Sequence, residues 1–391
     1  MYRLYLKKSR ERPVLGGHPW IFSGAIEKTE ADSENDPVAD VLDYQGRWLA
    51  RGLYNPKSQI RVRVLTWEKE AIDAAFFARR IAAAMELRQR LVAPFSNAYR
   101  VVNGEGDFLP GLIVDRYGDY LVCEFFTAGI DALKPPVFEA LAAALKPKGI
   151  YDRSEGGVRD EEGLAPSVGV AFGEEPPELI EIEENAHRFL VDIRGGQKTG
   201  FFLDQRDNRA LLASLAPAMT VLNCFAYTGG FSVYALKAGA KRVISLDSSR
   251  PALDLAKRNL ELNGLGADES DLIRGDAFSY LKNFDGKVDV LILDPPSLAH
   301  RRGDVEAAAG GYKFLNLHGL KLLPRGGLLM TFCCSQHVTL DLFQKIVFGA
   351  AVDARRKVQL LKRLGPAPDH PVSLHHPEGE YLKGLLLKVL E

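Results

Sequence analysis

Cysteine is scarce in this chain. Four occur in 391 residues, Cys123, Cys224, Cys333 and Cys334. Neither their number nor their spacing supports a disulfide framework or a zinc site, and no metal is expected. A reducing cytoplasm is the simplest home for such a protein. No run of about 18 apolar residues is present, so no transmembrane helix and no membrane partner are expected. The opening stretch, MYRLYLKKSRERP, carries positive charge with no apolar segment behind it, which argues against a signal peptide. The net charge is only −1. That excludes a surface coated in basic residues and leaves RNA binding open. Internal repeats and long low-complexity tracts are missing, as are the three spaced glycines of a dinucleotide-binding turn, which disfavours a nicotinamide cofactor.

What remains is an ordinary globular composition, 46% hydrophobic and 26% charged, in a chain long enough for two or three domains. Residues 1–70 are rich in short strand and turn signals. GGHPWIFSG punctuates one end, VLDYQGRWLARGLY reads as a hairpin around Gln45-Gly46, and ADSENDP reads as a polar loop. The segment predicts a small β-barrel. Its stretch from Arg47 to Arg63 has five basic residues and no acidic one. Within it, QIRVRVL puts Arg61 and Arg63 on one strand face and Ile60, Val62 and Val64 on the other. The arginine face is either solvated or a phosphate-contacting edge. Residues 71–178 combine a helical pattern, DAAFFARRIAAAMELRQRLV, with alternating strands around Gly-Asp turns, and predict a mixed α+β domain. Pro176-Pro177, in an acidic stretch, marks the boundary to residues 179–391.

In that last segment TVLNCFA, RVISLD, SDLIRGD, VDVLILD and GLLMTFC are short apolar runs. Helical patterns such as RPALDLAKRNLELNG separate the earlier ones. The alternation predicts an α/β fold with a parallel sheet covered on both faces. Ligands of such sheets bind beyond the carboxyl ends of the strands, so the residues after each run are the ones to examine. The first strand leads to NCFAYTGGFS, where Gly229-Gly230 lets backbone approach a ligand closely. The second ends in Asp247, which either accepts hydrogen bonds from both ribose hydroxyls or caps the next helix, with Ser248 or Ser249 able to serve instead. The third leads to Asp276 and the amide of Ala277, a pair suited to an adenine edge or, again, a cap. The fourth leads to DPPS, Asp294 to Ser297, where two prolines stiffen the chain that presents Asp294. Taken in this order, the four describe a site for an adenosine-bearing cofactor beside a rigid substrate platform. Tyr312, Lys313 and Asn316 beyond it either order that loop or merely belong to a helix. His375-His376 lack further ligands at metal spacing.

These motifs carry a resemblance. VLNCFAYTGGFS, LDSS, GDAF and DPPS resemble the successive motifs of class I S-adenosylmethionine-dependent methyltransferases. GGHPWIFSGAI and YNPKSQIRVRVL resemble a PUA domain, an RNA-binding barrel. EGDFLPGLIVDRYGDYLV resembles the middle domain, GQKTGFFLDQR the segment that closes over the cofactor, and EYLKG a C-terminal motif of the large-subunit ribosomal RNA methyltransferase I family, which makes 5-methylcytosine. The resemblance spans essentially the whole chain. It implies an N-terminal PUA barrel, a middle α+β domain and a C-terminal Rossmann-like methyltransferase domain. It also implies S-adenosyl-L-methionine as cofactor and ribosomal RNA as partner, and it allows a homodimer. Carried over by position, Asp247 with Ser248 holds the ribose, and Asp276 and Ala277 meet the adenine. Phe225, Tyr227 and Gly229 line the methionine and ribose side. Lys198, Thr199, Phe202 and Arg206 pack on the cofactor, with salt bridging the alternative for Lys198 and Arg206. Arg61 and Arg63 contact RNA. Asp294, between cofactor and base, partners the cytosine ring.

The adjacent cysteines then acquire a use. Carbon 5 of cytosine is a poor nucleophile until a thiolate adds to carbon 6. Neighbours on a strand face opposite ways, so one of Cys333 and Cys334 can face the cleft, and parity alone does not choose. The family pattern of small residue, cysteine, serine aligns with Cys333-Cys334-Ser335 and implies Cys334 as nucleophile and Cys333 as packing. Other RNA cytosine methyltransferases carry a second cysteine after the fourth-motif proline, where this chain has Pro296-Ser297. Competing readings are a base-nitrogen methyltransferase, which needs no thiol, and a non-catalytic RNA-binding or ribosome-assembly protein.

Overall fold

A computed structural model describes residues 1–31, 36–266, 271–299 and 301–391. The centre of the ADSENDP loop, residues 32–35, lies outside the described residues. The chain forms two compact units. One comprises Met1–Ile182, Val191–Leu203 and Pro368–Gly379, and the other comprises Glu183–Leu190, Asp204–Ala367 and Glu380–Glu391. No helix among the described residues is long and apolar enough to cross a membrane.

The first unit contains two sheets. Six strands between Tyr2–Leu6 and Ile60–Thr66 form one, closed over Leu4, Leu6, Val41, Ala50, Val62 and Val64. Val38–Leu42 and Trp48–Tyr54 pair antiparallel across a turn in which Gly46 takes φ +85°, a conformation that costs glycine little. The second sheet has five strands, Ala98–Asn103, Leu112–Tyr117, Tyr120–Phe125, Gly149–Ser154 and Ser167–Gly173. The helix Ala74–Leu91 starts where Asp73 accepts a hydrogen bond from the Phe76 amide. It buries Phe76, Phe77 and Ile81 against Val101, Leu112, Val114 and Phe125.

The second unit is built on a seven-stranded sheet. Its strands are β1 (Thr220–Cys224), β2 (Arg242–Asp247), β3 (Leu272–Arg274), β4 (Val290–Leu293), β5 (Leu328–Cys333), β6 (Val358–Leu364) and β7 (Lys383–Val389). Their spatial order is β3-β2-β1-β4-β5-β7-β6. The first five are parallel, and β7 runs antiparallel to both β5 and β6. The helices are α1 (Arg206–Leu215), α2 (Gly230–Lys237), α3 (Arg250–Leu262), α4 (Ala277–Asn283), α5 (Val305–Leu322) and α6 (Leu340–Asp353). Because successive strand residues face opposite ways, each central strand feeds two cores. In β4, Leu291 and Leu293 join Leu281, Leu315 and Phe343 on one face. Val290 and Ile292 join Leu212, Phe231 and Ala235 on the other. Burying each such side chain stabilises the fold by about 1.5–3 kcal/mol. The strand order reverses beside β1, which puts a crevice at the ends of β1, β2 and β4.

Candidate active site

The loop after β1 is built of unusual backbone. Phe225 and Tyr227 take φ +62° and +48°, and Gly229 takes +79°. Left-handed non-glycine residues are costly and persist where surrounding bonds hold them. Here the Ala226 amide donates to the Leu246 carbonyl of β2 at 3.0 Å. The Tyr227 amide donates to Asp247 Oδ2 at 2.8 Å. Asp247 Oδ1 accepts from the Ser249 amide, also at 2.8 Å. Asp247 therefore does not cap α3; Ser249 does, accepting from the Ala252 amide. Each Asp247 oxygen keeps lone-pair capacity for a hydroxyl beyond its one amide. Ser248 beside it is exposed. After β3, Asp276 caps α4 through Oδ2, which accepts from the Ser279 amide at 2.8 Å, so the cap alternative holds for this residue. Ala277 is buried. A groove of about 440 Å³ opens beside Asp276, walled by Tyr280 and Phe284.

At the end of β4, Asp294 is half-buried and oriented by a residue the sequence reading did not assign. Gln205 Nε2 donates to Asp294 Oδ2 at 2.9 Å, and Gln205 Oε1 accepts from Asn208 Nδ2 at 2.6 Å. Gln205 stands inside the quoted motif GQKTGFFLDQR, so a signal was there without a role.

The two cysteines divide as strand alternation requires. Cys333 is fully buried in the cluster of Tyr312, Leu315 and Phe343. Cys334 is half-buried, packs on the opposite face, and directs Sγ at the Pro295 carbonyl, 3.5 Å away in the DPPS loop. Ser335 joins the two segments. Its Oγ accepts from the amides of Leu298 and Ala299 and meets the hydroxyls of Ser297 and Tyr312, all within 2.9–3.1 Å. Burial keeps the Tyr312 hydroxyl protonated by pushing its pKa up, and the nearby thiols push the same way. The Ser335 carbonyl accepts from Lys383 Nζ at 2.8 Å. Tyr312 and Asn316 belong to α5, where Asn316 donates to the Tyr312 carbonyl. Lys313 pairs with Asp353 on the surface. The contacts of Ser335 and Lys383 were not foreseen, although the cysteine-serine pattern and EYLKG both drew attention.

Other expected residues have partners of their own. Arg206 is buried and lies 3.4 Å from Glu184, a carboxylate that Arg209 also holds through two 2.8 Å bonds. The salt-bridge alternative is thus the one realised for Arg206. Lys198, Thr199 and Phe202 lie in the first unit. Lys198 is exposed, with Nζ 4.7 Å from the Phe202 ring centroid. The Thr199 hydroxyl donates to Asp115 Oδ2 at 2.6 Å and meets the Tyr117 hydroxyl at 2.8 Å, so its side chain is engaged within that unit.

Arg63 requires a correction. It is 8% exposed and pairs with Glu162 at 3.0 Å, so it does not present its charge to RNA. Its strand is covered on both faces, which the basic run concealed. Burial alone would raise the Glu162 carboxyl, but Arg63 and hydrogen bonds from Ser58, Asn55 and Ala128 hold it below its ordinary value. Arg61 is half-buried. His376 packs on Trp20, with ring centroids 4.5 Å apart. Among the described residues no group of three or more His, Cys, Asp and Glu could hold a metal.

Comparison with known proteins agrees with this architecture. Residues 4–67 match the PUA-like domain, and residues 165–378 match the S-adenosylmethionine-dependent methyltransferases. The methyltransferase SMU.776, solved as a complex with SAH, superposes with a TM-score of 0.85 at 24% identity over 100% of both chains. A Streptococcus mutans structure of the same kind gives 0.83 at 23% identity, again over 100% of both chains. At these identities the likeness shows the fold. The match over more than half of the chain places it in the class of S-adenosylmethionine-dependent methyltransferases. Ribosomal RNA large subunit methyltransferase I of Salmonella typhi is 44% identical across 99% of this chain and 98% of its own length. The chain belongs to the ribosomal RNA large subunit methyltransferase I family.

The residues present fit S-adenosylmethionine. A Cβ at Gly229 would come 3.1 Å from the Ala256 Cβ, so bare backbone occupies the point where the loop turns into α2. The Thr228 hydroxyl, enclosed in the same loop, lacks a hydrogen-bond partner among the described residues. The strand-end carboxylates of Asp247 and Asp276 supply acceptors of the kind a nucleoside donates to.

Proposed function

We propose that this enzyme methylates carbon 5 of a cytosine in large-subunit ribosomal RNA through a covalent Cys334 adduct. The observation that carries the reading is the position of Cys334. It is the half-buried member of the pair, with Sγ 3.5 Å from the Pro295 carbonyl, while its neighbour is sealed in the core. The family supplies ribosomal RNA as substrate, and the PUA-like domain is a suitable RNA-binding module. Work on ribosomal RNA is consistent with a cytoplasmic location.

In this reading Asp247 receives the ribose hydroxyls, and Asp276 with the Ala277 amide receives the adenine edge. When bound, S-adenosylmethionine supplies an electrophilic methyl group. Asp294, its carboxylate turned by Gln205, accepts from the cytosine amino group and steadies charge on the ring. The Cys334 thiolate bonds to carbon 6, and the electrons of the 5,6 double bond make carbon 5 nucleophilic. Once carbon 5 carries the methyl group, loss of its proton returns the electrons to the ring and expels the thiolate.

RNA with 5-fluorocytosine at the target tests this. Fluorine replaces the departing proton, so the unmutated enzyme should remain bonded to the RNA after methyl transfer. Cys333→Ala should still form the adduct and Cys334→Ala should not, although it should bind cofactor and RNA. An adduct lost only in Cys333→Ala would move the nucleophile by one residue. Normal methylation of ordinary RNA with no adduct at all would reject carbon 5 as the acceptor.

A further inference from the structure

An amide side chain has two ends of similar size and opposite polarity. Gln205 by itself is as able to offer Asp294 its oxygen as its nitrogen, and an oxygen there would repel the carboxylate. What decides between the two lies one contact further away. Asn208, 3% exposed in the first turn of α1, places a single atom, Nδ2, 3.0 Å from the Gly365 carbonyl and 2.6 Å from Gln205 Oε1. A backbone carbonyl only accepts. It therefore fixes the nitrogen end of Asn208, and that nitrogen requires the oxygen end of Gln205. Gln205, 2% exposed, is left to present Nε2 to Asp294 Oδ2 at 2.9 Å. The segment that carries the Gly365 carbonyl is itself tied down, since the Ala367 amide donates to the Asp204 carbonyl at 2.8 Å. The direction of every bond in the series follows from one carbonyl just beyond β6.

We propose that Asn208, anchored on the Gly365 carbonyl, is a positioning residue that sets the polarity of Gln205 and so keeps Asp294 an acceptor. This role rests on the reading of Asp294 as the partner of the base. A donor aimed at a carboxylate favours its ionised form. An ionised Asp294 accepts from an exocyclic amino group. A base that shows a carbonyl at the same place would meet it lone pair against lone pair. Asn208 thus favours the amino-bearing pyrimidine without touching it. The charged neighbours of Gln205 in the chain have other partners. Asp204 accepts from the Tyr381 hydroxyl at 2.5 Å, and Arg206 lies 3.4 Å from Glu184. Gln205, Asn208, Asp294 and Gly365 all belong to the second unit.

The test is transfer of a labelled methyl group from S-adenosylmethionine to unmodified large-subunit ribosomal RNA by the full-length protein, followed across pH. Gln205→Glu keeps the size and still accepts from Asn208, but it donates to Asp294 only while protonated. Its kcat should fall as pH rises, in a limb that the unmutated protein lacks, because two facing carboxylates resist ionising together. Asn208→Asp cannot donate, so Gln205 turns its nitrogen to the new carboxylate and its oxygen to Asp294. Its kcat at neutral pH should drop about tenfold, the scale of one hydrogen bond to a charged group, with the KM for S-adenosylmethionine little changed. Circular dichroism at each pH verifies the folded state. Full activity in a folded Asn208→Asp variant overturns the proposal. So does a Gln205→Glu profile that matches the unmutated one, which decides the matter even if Asn208→Asp does not fold. The label counts methyl groups whichever atom accepts them. Failure of the fluorocytosine adduct would therefore reject the carbon 5 chemistry, while the limb in Gln205→Glu still decides what Asn208 does.

Discussion

Asp247 carries one backbone amide on each carboxylate oxygen, from the loop after β1 and from the start of α3. It therefore holds the left-handed Tyr227 in place whether or not a ligand is present. Asp247→Ala should weaken S-adenosylmethionine binding by about 1–3 kcal/mol, the scale of hydrogen bonds to a charged group, while the core of the sheet stays intact. Calorimetric titration checks it, and unchanged affinity would confine Asp247 to holding the loop. At this scale the sequence was readable where side chains sit at a strand end. Alternation explained why one cysteine is sealed and the other is not. Gln205, Ser335 and Lys383 were not readable. Each acts through a partner distant in the chain, and no local pattern announces which carbonyl or carboxylate a folded side chain will meet.

The strand Ile60–Thr66 shows how an element can mislead. Its alternation of arginine with valine and isoleucine reads as one wet face and one dry face, and Val62 and Val64 are indeed in the barrel core. The opposite face is covered as well, because Arg63 meets Glu162, a residue almost a hundred positions later, also held by Asn55. Period-two patterning distinguishes the two faces of a strand but does not reveal what lies over the second one. Arg63→Ala should accordingly destabilise the protein, by about 3–5 kcal/mol if the buried Glu162 is left without its cation. Thermal or denaturant unfolding reads the effect. Weaker RNA binding in a fully stable variant would return Arg63 to the RNA-facing role.

At the scale of the molecule, the α/β alternation from Thr220 onward was legible because buried parallel strands are short apolar runs between amphipathic helices. The placement of β7 between β5 and β6 was not, since a strand's partners are chosen by packing across the chain. Titration is a second whole-molecule property. Burial pushes the Glu124 carboxyl from its ordinary 4.5 up to about 7, and Asp115 adds to the shift while Arg100, Arg153 and Lys198 oppose it. An acid with a raised folded pKa binds more protons folded than unfolded between those values, so its stability contribution is complete below about 4.5 and is lost as pH rises through about 7. Glu124→Gln should flatten this decline and leave the protein more stable than the unmutated form at pH above 7. Equal slopes for the two proteins in denaturant titrations at several pH values would contradict it.

The place of β7 has a bearing on how the protein comes into being. Among the seven strands it is the last to be synthesised, yet it lies between β5 and β6 and brings Lys383 to the Ser335 carbonyl. A nascent chain can assemble the parallel strands and seat its strand-end loops while the edge of β5 waits uncovered. Closure of this edge is therefore a late event in folding, and a chain halted before β7 would leave the Ser335 carbonyl without the lysine that anchors it.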